Sequence, residues 1–195
     1  MRLFAFCLLP FAFCLFSACR PAAAPVAISN KPVSINDVPQ TNVPMPPPKN
    51  IENLGWQTFD GVNLSLGEVE TLGGLKGKVV VLDFWATYCP PCIEGIPHLV
   101  ELQKQHKDLQ VVGLHVGGEE DLQKVPEFAG KLKINYPLAF PDAGLNAALL
   151  GGESAIPQTF VFNREGKMVE KFVGFDESVK NGLDMAIMES LNNSR

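Results

Sequence analysis

Two stretches of the chain, "KVVVLDFW" (78–85) and "LQVVGLHV" (109–116), are apolar at nearly every position. Short unbroken runs rich in β-branched residues predict strands covered on both faces, inside a sheet. "WQTFDGVNLSL" (56–66) alternates instead about Asp60-Gly61, which predicts strand, turn and strand. "QTFVFN" (158–163) and "KMVEKFVG" (167–174) flank "REG" and predict a second hairpin. Helices are expected from Pro90 to about Lys107, with a kink at Pro97, and from Glu119 to Leu132. A small helix near Leu145 to Leu150 follows the unassigned segment "NYPLAF". A last helix runs from Asp176, its N-cap, to Leu191, with Val179, Leu183, Ile187 and Leu191 on one face. Strands interleaved with helices in this order give an α/β domain: a central mixed β-sheet flanked by helices.

The first fifty residues do not fit that pattern. Arg2 precedes an apolar stretch from Leu3 to Phe16, shorter than the roughly 20 residues a membrane-spanning helix needs. Charged start, short apolar core and small residues are the layout of a secretory signal. "LFSAC" (15–19) resembles the bacterial lipobox, with Phe16 where leucine is usual, and makes Cys19 the lipidation site. The rival, cleavage after Ala24, would put Pro25 at the first mature position. From Arg20 to Asn50 lie eight of the sixteen prolines and few large apolar residues, the composition of an extended tether. The expected organisation is a lipoprotein signal peptide (1–18), a lipid-anchored Pro-rich tether (19–50) and a folded domain (51–195).

Composition narrows the function. At 46% apolar and 19% charged the chain is of ordinary globular type, and its net charge of −5 comes with no Lys/Arg cluster. Nucleic-acid binding therefore lacks its electrostatic footprint. His98, His106 and His115 are scattered. Cys7, Cys14 and Cys19 lie at the N-terminus, which leaves Cys89 and Cys92 as the thiols of the folded domain.

Those two are three apart, within disulfide reach, at the predicted start of a helix whose first residues are Pro90 and Pro91. A helix start stabilises a thiolate, which makes Cys89 the expected nucleophile. Structural zinc would want a second Cys or His pair, and none has ligand spacing. Copper(I) held by Cys89, Cys92 and His115 suits thiolate chemistry. An inert disulfide is the plain alternative, although so small a loop constrains the unfolded chain little. The residues alone leave redox pair, copper site and structural clip open.

"FWATYCPPC" (84–92) resembles the active-site motif of thioredoxin-fold proteins, nearest to the exported TlpA/ResA/DsbE-type thiol–disulfide oxidoreductases. The resemblance continues in "AIPQTFVFNREGKMVEKFVG" (155–174), where Ile156-Pro157 stands at the family's cis-proline loop. "HVGG" (115–118) and the helix up to "YPLAF" match the insertion of this branch. It implies a thioredoxin-like fold with an N-terminal hairpin, a Cys89–Cys92 redox disulfide, and a substrate-binding rim of Trp85, Tyr88, Pro90, Pro91, Ile156 and Pro157. It also implies that Asp83 matches thioredoxin's buried aspartate, the proton acceptor for Cys92.

Each role has a plainer alternative. Asp83 would be an acid at a solvated strand end, Pro157 a strand-starting proline and Trp85 core packing. Two positions depart from the family: Tyr88 replaces a tryptophan, and Gly95 stands where many relatives carry an acid, with Glu94 beside it expected to face solvent. Pro91 offers no N–H to a thiolate and no histidine lies between the cysteines. A poorly stabilised thiolate makes the dithiol a reductant.

The resemblance calls for no cofactor and no metal. It implies exported disulfide-containing partners such as apocytochrome c or copper-site proteins and a membrane electron donor of the DsbD/CcdA type; with the lipobox-like motif at Cys19, the expected location is periplasmic and lipid-anchored. The rivals are a disulfide oxidant or isomerase on the same fold and a copper-delivery lipoprotein.

Overall fold

In chain order the elements are β1 (Gly55–Phe59), β2 (Leu66–Thr71), β3 (Val79–Trp85), α1 (Pro90–Gln105), β4 (Leu109–His115), α2 (Glu119–Leu122), α3 (Val125–Leu132), β5 (Leu138–Pro141), α4 (Ala143–Leu150), β6 (Gln158–Phe162), β7 (Met168–Val173) and α5 (Glu177–Asn192). They come from a computed structural model, which describes residues 51–193. The expected signal peptide, Cys19 and the tether lie outside those residues.

The seven strands form one sheet in the order β2-β1-β5-β4-β3-β6-β7. β3 pairs in parallel with β4, and β4 with β5, while β6 runs antiparallel to β3 and β1 antiparallel to β5. The sheet is mixed, as expected. Alternation along β3 sends Val79, Val81 and Trp85 to a core with Ile96 and Leu99 of α1 and Leu183 and Ile187 of α5. Val80, Leu82 and Phe84 go to the opposite core, against Trp56, Leu145 and Phe160. Each such buried side chain is worth roughly 1.5–3 kcal/mol relative to exposure. All seven β3 positions are buried, so a carboxylate among them, Asp83, stands out.

Two expectations need correction, and one unassigned segment gains a strand. The first hairpin does not turn tightly at Asp60-Gly61. Asp60 Oδ1 accepts the N–H groups of Val62 and Asn63 (2.7 and 2.9 Å), Leu64 takes φ +60°, and β2 starts only at Leu66. The helix expected over 119–132 is two helices, because a proline at 126 cannot donate to the preceding turn and restarts the chain at its own first turn. "NYPLAF" contains a strand, β5, inserted between β1 and β4. Four residues, preceded by one proline and ending on another, carry too little periodicity to be read as one. At the other end the N-cap expectation holds: Asp176 Oδ1 accepts the Val179 N–H at 2.8 Å.

Candidate active site

β3 ends at Trp85, and four residues carry the chain into α1. Cys89 is the N-cap of α1 and Pro90 its first residue. Proline fits there because the first helical N–H groups have no intrahelical partner. The Cys92 N–H donates to Cys89 Sγ at 3.2 Å, so one amide does reach the first sulfur, although Pro90 and Pro91 supply none. Cys89 and Cys92 form a disulfide with their Cα atoms 5.3 Å apart. Cys92 is 1% exposed and Cys89 5%, so both are buried and Cys89 slightly less so.

Behind them lies Asp83. It is 3% exposed on the face of β3 that α1 and α5 cover, and the alternative of a solvated strand end fails. Its Oδ1 accepts the Thr159 hydroxyl at 2.8 Å from the neighbouring β6. Burial pushes the Asp83 carboxyl up to about 6, against the opposing pull of that hydrogen bond. Asp83, Cys92 and Pro157 line one small cavity of about 10 Å³, room for roughly one water.

Ile156–Pro157 is cis, and Pro157 faces that cavity just before β6. Its carbonyl accepts the Gly174 N–H at 2.9 Å, which ties the loop to the end of β7. Tyr88 is 61% exposed, Pro90 is exposed and Ile156 half-buried, a partly apolar rim around Cys89. Pro91 turns inward to the cavity.

Trp85 is a correction. It is 1% exposed, its ring stands edge-on to His115 at 5.6 Å, and it belongs to the core rather than to a substrate rim. Glu94 is exposed, as expected. At Gly95 the space that a side chain would take is filled by the ring of Phe175.

Sequence reasoning missed the support beneath the cysteine loop. Asp121, on α2 and 3% exposed, accepts the Thr87 N–H at 2.8 Å, the Thr87 hydroxyl, and His115 Nε2 at 3.0 Å. Burial alone would raise its carboxyl. The Thr87 hydroxyl and amide, then His115, more than offset this and hold it below the ordinary carboxylate range. A side chain at Gly117 would collide with that carboxylate. The network ties the end of β4 and the start of α2 to a residue two before Cys89. His115 was legible only as a candidate copper ligand; its Nε2 is taken by Asp121 and its ring packs between Trp85 and Phe140. The available signal was an acid and a histidine six apart around a glycine pair.

A mixed sheet with a CxxC at a helix N-cap, a cis-proline loop beside it and a buried acid behind defines the thioredoxin-like class. The Redoxin family model matches residues 41–187, and the chain belongs to that family. It is 34% identical over 127 residues to the thiol-disulfide oxidoreductase ResA of Halalkalibacterium halodurans, an alignment covering 65% of this chain and 72% of that protein. ResA proteins of Bacillus thuringiensis and Bacillus anthracis are covered over 66% of their length.

Among solved structures, a thiol:disulfide interchange protein of the thioredoxin family from Chlorobium tepidum superposes with a TM-score of 0.57 at 29% identity, covering 71% of this chain and 96% of that one. An exposed lipoprotein thioredoxin of Streptococcus pneumoniae gives 0.52 at 25%, covering 69% and 98%. The chain is a thiol–disulfide oxidoreductase of the ResA/DsbE type, and the Cys89–Cys92 pair fits its redox dithiol.

Proposed function

We propose that this oxidoreductase works as a membrane-tethered reductant of disulfides in exported proteins, with apocytochrome c or copper-site cysteines as its substrate class. The observation that carries the reading is Cys89 at the N-cap, with Cys92 buried behind it in the cavity of Asp83 and cis Pro157. Cys89 thiolate attacks a substrate disulfide, forming a mixed disulfide and releasing one substrate thiolate. Cys92 gives its proton to Asp83 and attacks Cys89 Sγ, releasing the second substrate thiolate and leaving the Cys89–Cys92 disulfide. Two electrons and two protons then restore the dithiol, the electrons coming from a membrane donor of the DsbD/CcdA type.

An acid that titrates near 6 is ionised at neutral pH and ready to take the Cys92 proton. Substrate backbone meets the loop at Ile156, because the Pro157 carbonyl is already committed to Gly174. The direction of electron flow rests on the two prolines, which leave Cys89 with one helical amide, and on a cavity lining without lysine, arginine or histidine among the described residues. Lipid attachment at Cys19 rests on the "LFSAC" motif and on the cysteine distribution. It is also in keeping with the pneumococcal relative's description as a lipoprotein.

The test is made in cells expressing the full chain. After acid quenching and alkylation, most of the protein should carry free Cys89 and Cys92 thiols, and Cys19→Ser should move it from the membrane to the soluble fraction. A fully oxidised pair would instead indicate an oxidant, and membrane retention of the variant would refute the anchor.

A further inference from the structure

Phe175 lies in the turn between β7 and α5, where Gly174 has φ +78° and Asp176 caps the helix. Its half-buried ring rests on α1 one turn beyond Cys92, at Gly95. A Cβ built on Gly95 would stand 2.9 Å from Phe175 Cδ2 and 3.1 Å from Cγ, closer than a side chain tolerates. A buried glycine inside a helix costs up to about 1 kcal/mol relative to alanine, so its presence here calls for a packing reason, and the ring supplies it. On its inner side the ring lines the cavity of Asp83, Cys92, Pro91 and Pro157. On its outer side it nears His98, centroid to centroid 6.3 Å.

We propose that Phe175 is a positioning residue for the reaction: seated on Gly95, it closes the cavity between Asp83 and Cys92 and keeps bulk water from their proton transfer. This rests on the assignment of Asp83 as acceptor for the Cys92 proton. The cavity has room for roughly one water, enough to bridge the two groups and too little to solvate a carboxylate. The groups facing Asp83 are Thr159 of β6, Cys92 of α1, and Tyr136 ahead of β5, whose own phenol is raised by burial and then by the Asp83 charge. No cation lines the cavity among the described residues. Exclusion of water is therefore the main influence on when Asp83 gains and loses its proton, and Phe175, half-buried, is the one aromatic ring in the cavity lining.

Two variants attack the contact from opposite sides. Phe175→Ala removes the ring, and Gly95→Ala keeps it but forces it off its seat. Asp83 titration is followed in the oxidised full-length protein by carboxyl NMR, and the pH profile of mixed-disulfide resolution is followed in the reduced protein. Both variants should lower the Asp83 midpoint by about one pH unit, and the acid limb of the profile should move with it. A wild-type midpoint in both folded variants overturns the proposal, because pure packing would alter stability without moving that titration. Should one variant not fold, the other decides alone. If the midpoint moves while Asp83→Asn leaves resolution unchanged at every pH, the ring's shielding role stands and the acceptor assignment falls.

Discussion

Cys92→Ser is expected to turn this oxidoreductase into a trap. Cys89 still attacks a substrate disulfide, but the mixed disulfide has no internal thiol to resolve it, and covalent conjugates accumulate. Multiple-turnover reduction of a protein disulfide should fall about 10³-fold or more. The second thiol is held as an intramolecular reactant, whose effective concentration no external thiol matches. Cys89→Ser should lose turnover to the same extent and form no conjugates. The asymmetry follows from position: Cys89 is the N-cap and the less buried of the two residues, while Cys92 faces the inner cavity. Conjugates with Cys89→Ser and none with Cys92→Ser would reverse the roles.

The second large effect concerns Asp83. Folding raises its carboxyl from the ordinary value near 3.8 to about 6. Between those values the unfolded chain has released a proton that the folded protein still holds, so stability falls as pH rises through the interval. Above it the deficit is constant, about 3 kcal/mol from a shift of about two units. Asp83→Asn should therefore make the oxidised protein more stable by about 3 kcal/mol at pH 8 and nearly neutral in effect at pH 4, read by urea unfolding across that range. The same variant should slow mixed-disulfide resolution on the order of 10²-fold at neutral pH, the scale of a positioned proton acceptor. Equal stabilities of wild type and variant at both pH values would contradict the burial argument. The acid destabilises the fold it sits in, and its chemistry is what that cost accompanies.

The legible parts of this protein were those set by short segments. β3 and β4 announced themselves as apolar runs, α5 by its cap and stripe, and Asp83 as a charge in a strand where no solvent could reach. Cys89-Pro90-Pro91-Cys92 specified its own geometry, since prolines at a helix start and a three-residue spacing are local facts. What stayed hidden depends on segments far apart in sequence. The Phe175 ring fills a notch at Gly95 eighty residues earlier, and Asp121 holds Thr87 across thirty-four. A glycine in place of an acid reads as a missing group; in the fold it is a seat for another side chain. Trp85 misled because it adjoins the motif, yet it lies on the covered face of β3, two residues from Asp83 and edge-on to His115. β5 was invisible because β1 and β4 on either side define it, and its four residues do little by themselves.

The claim on which the rest depends is that Cys89 and Cys92 form a reversible couple poised to give electrons. The reduction potential of the pair, obtained by equilibrating the protein with a thiol–disulfide buffer of known potential, tests it most directly. With two prolines opening α1 and one amide on Cys89, the expected value lies near that of thioredoxin, about −270 mV, and a value near −120 mV, that of a strong oxidant, would contradict it.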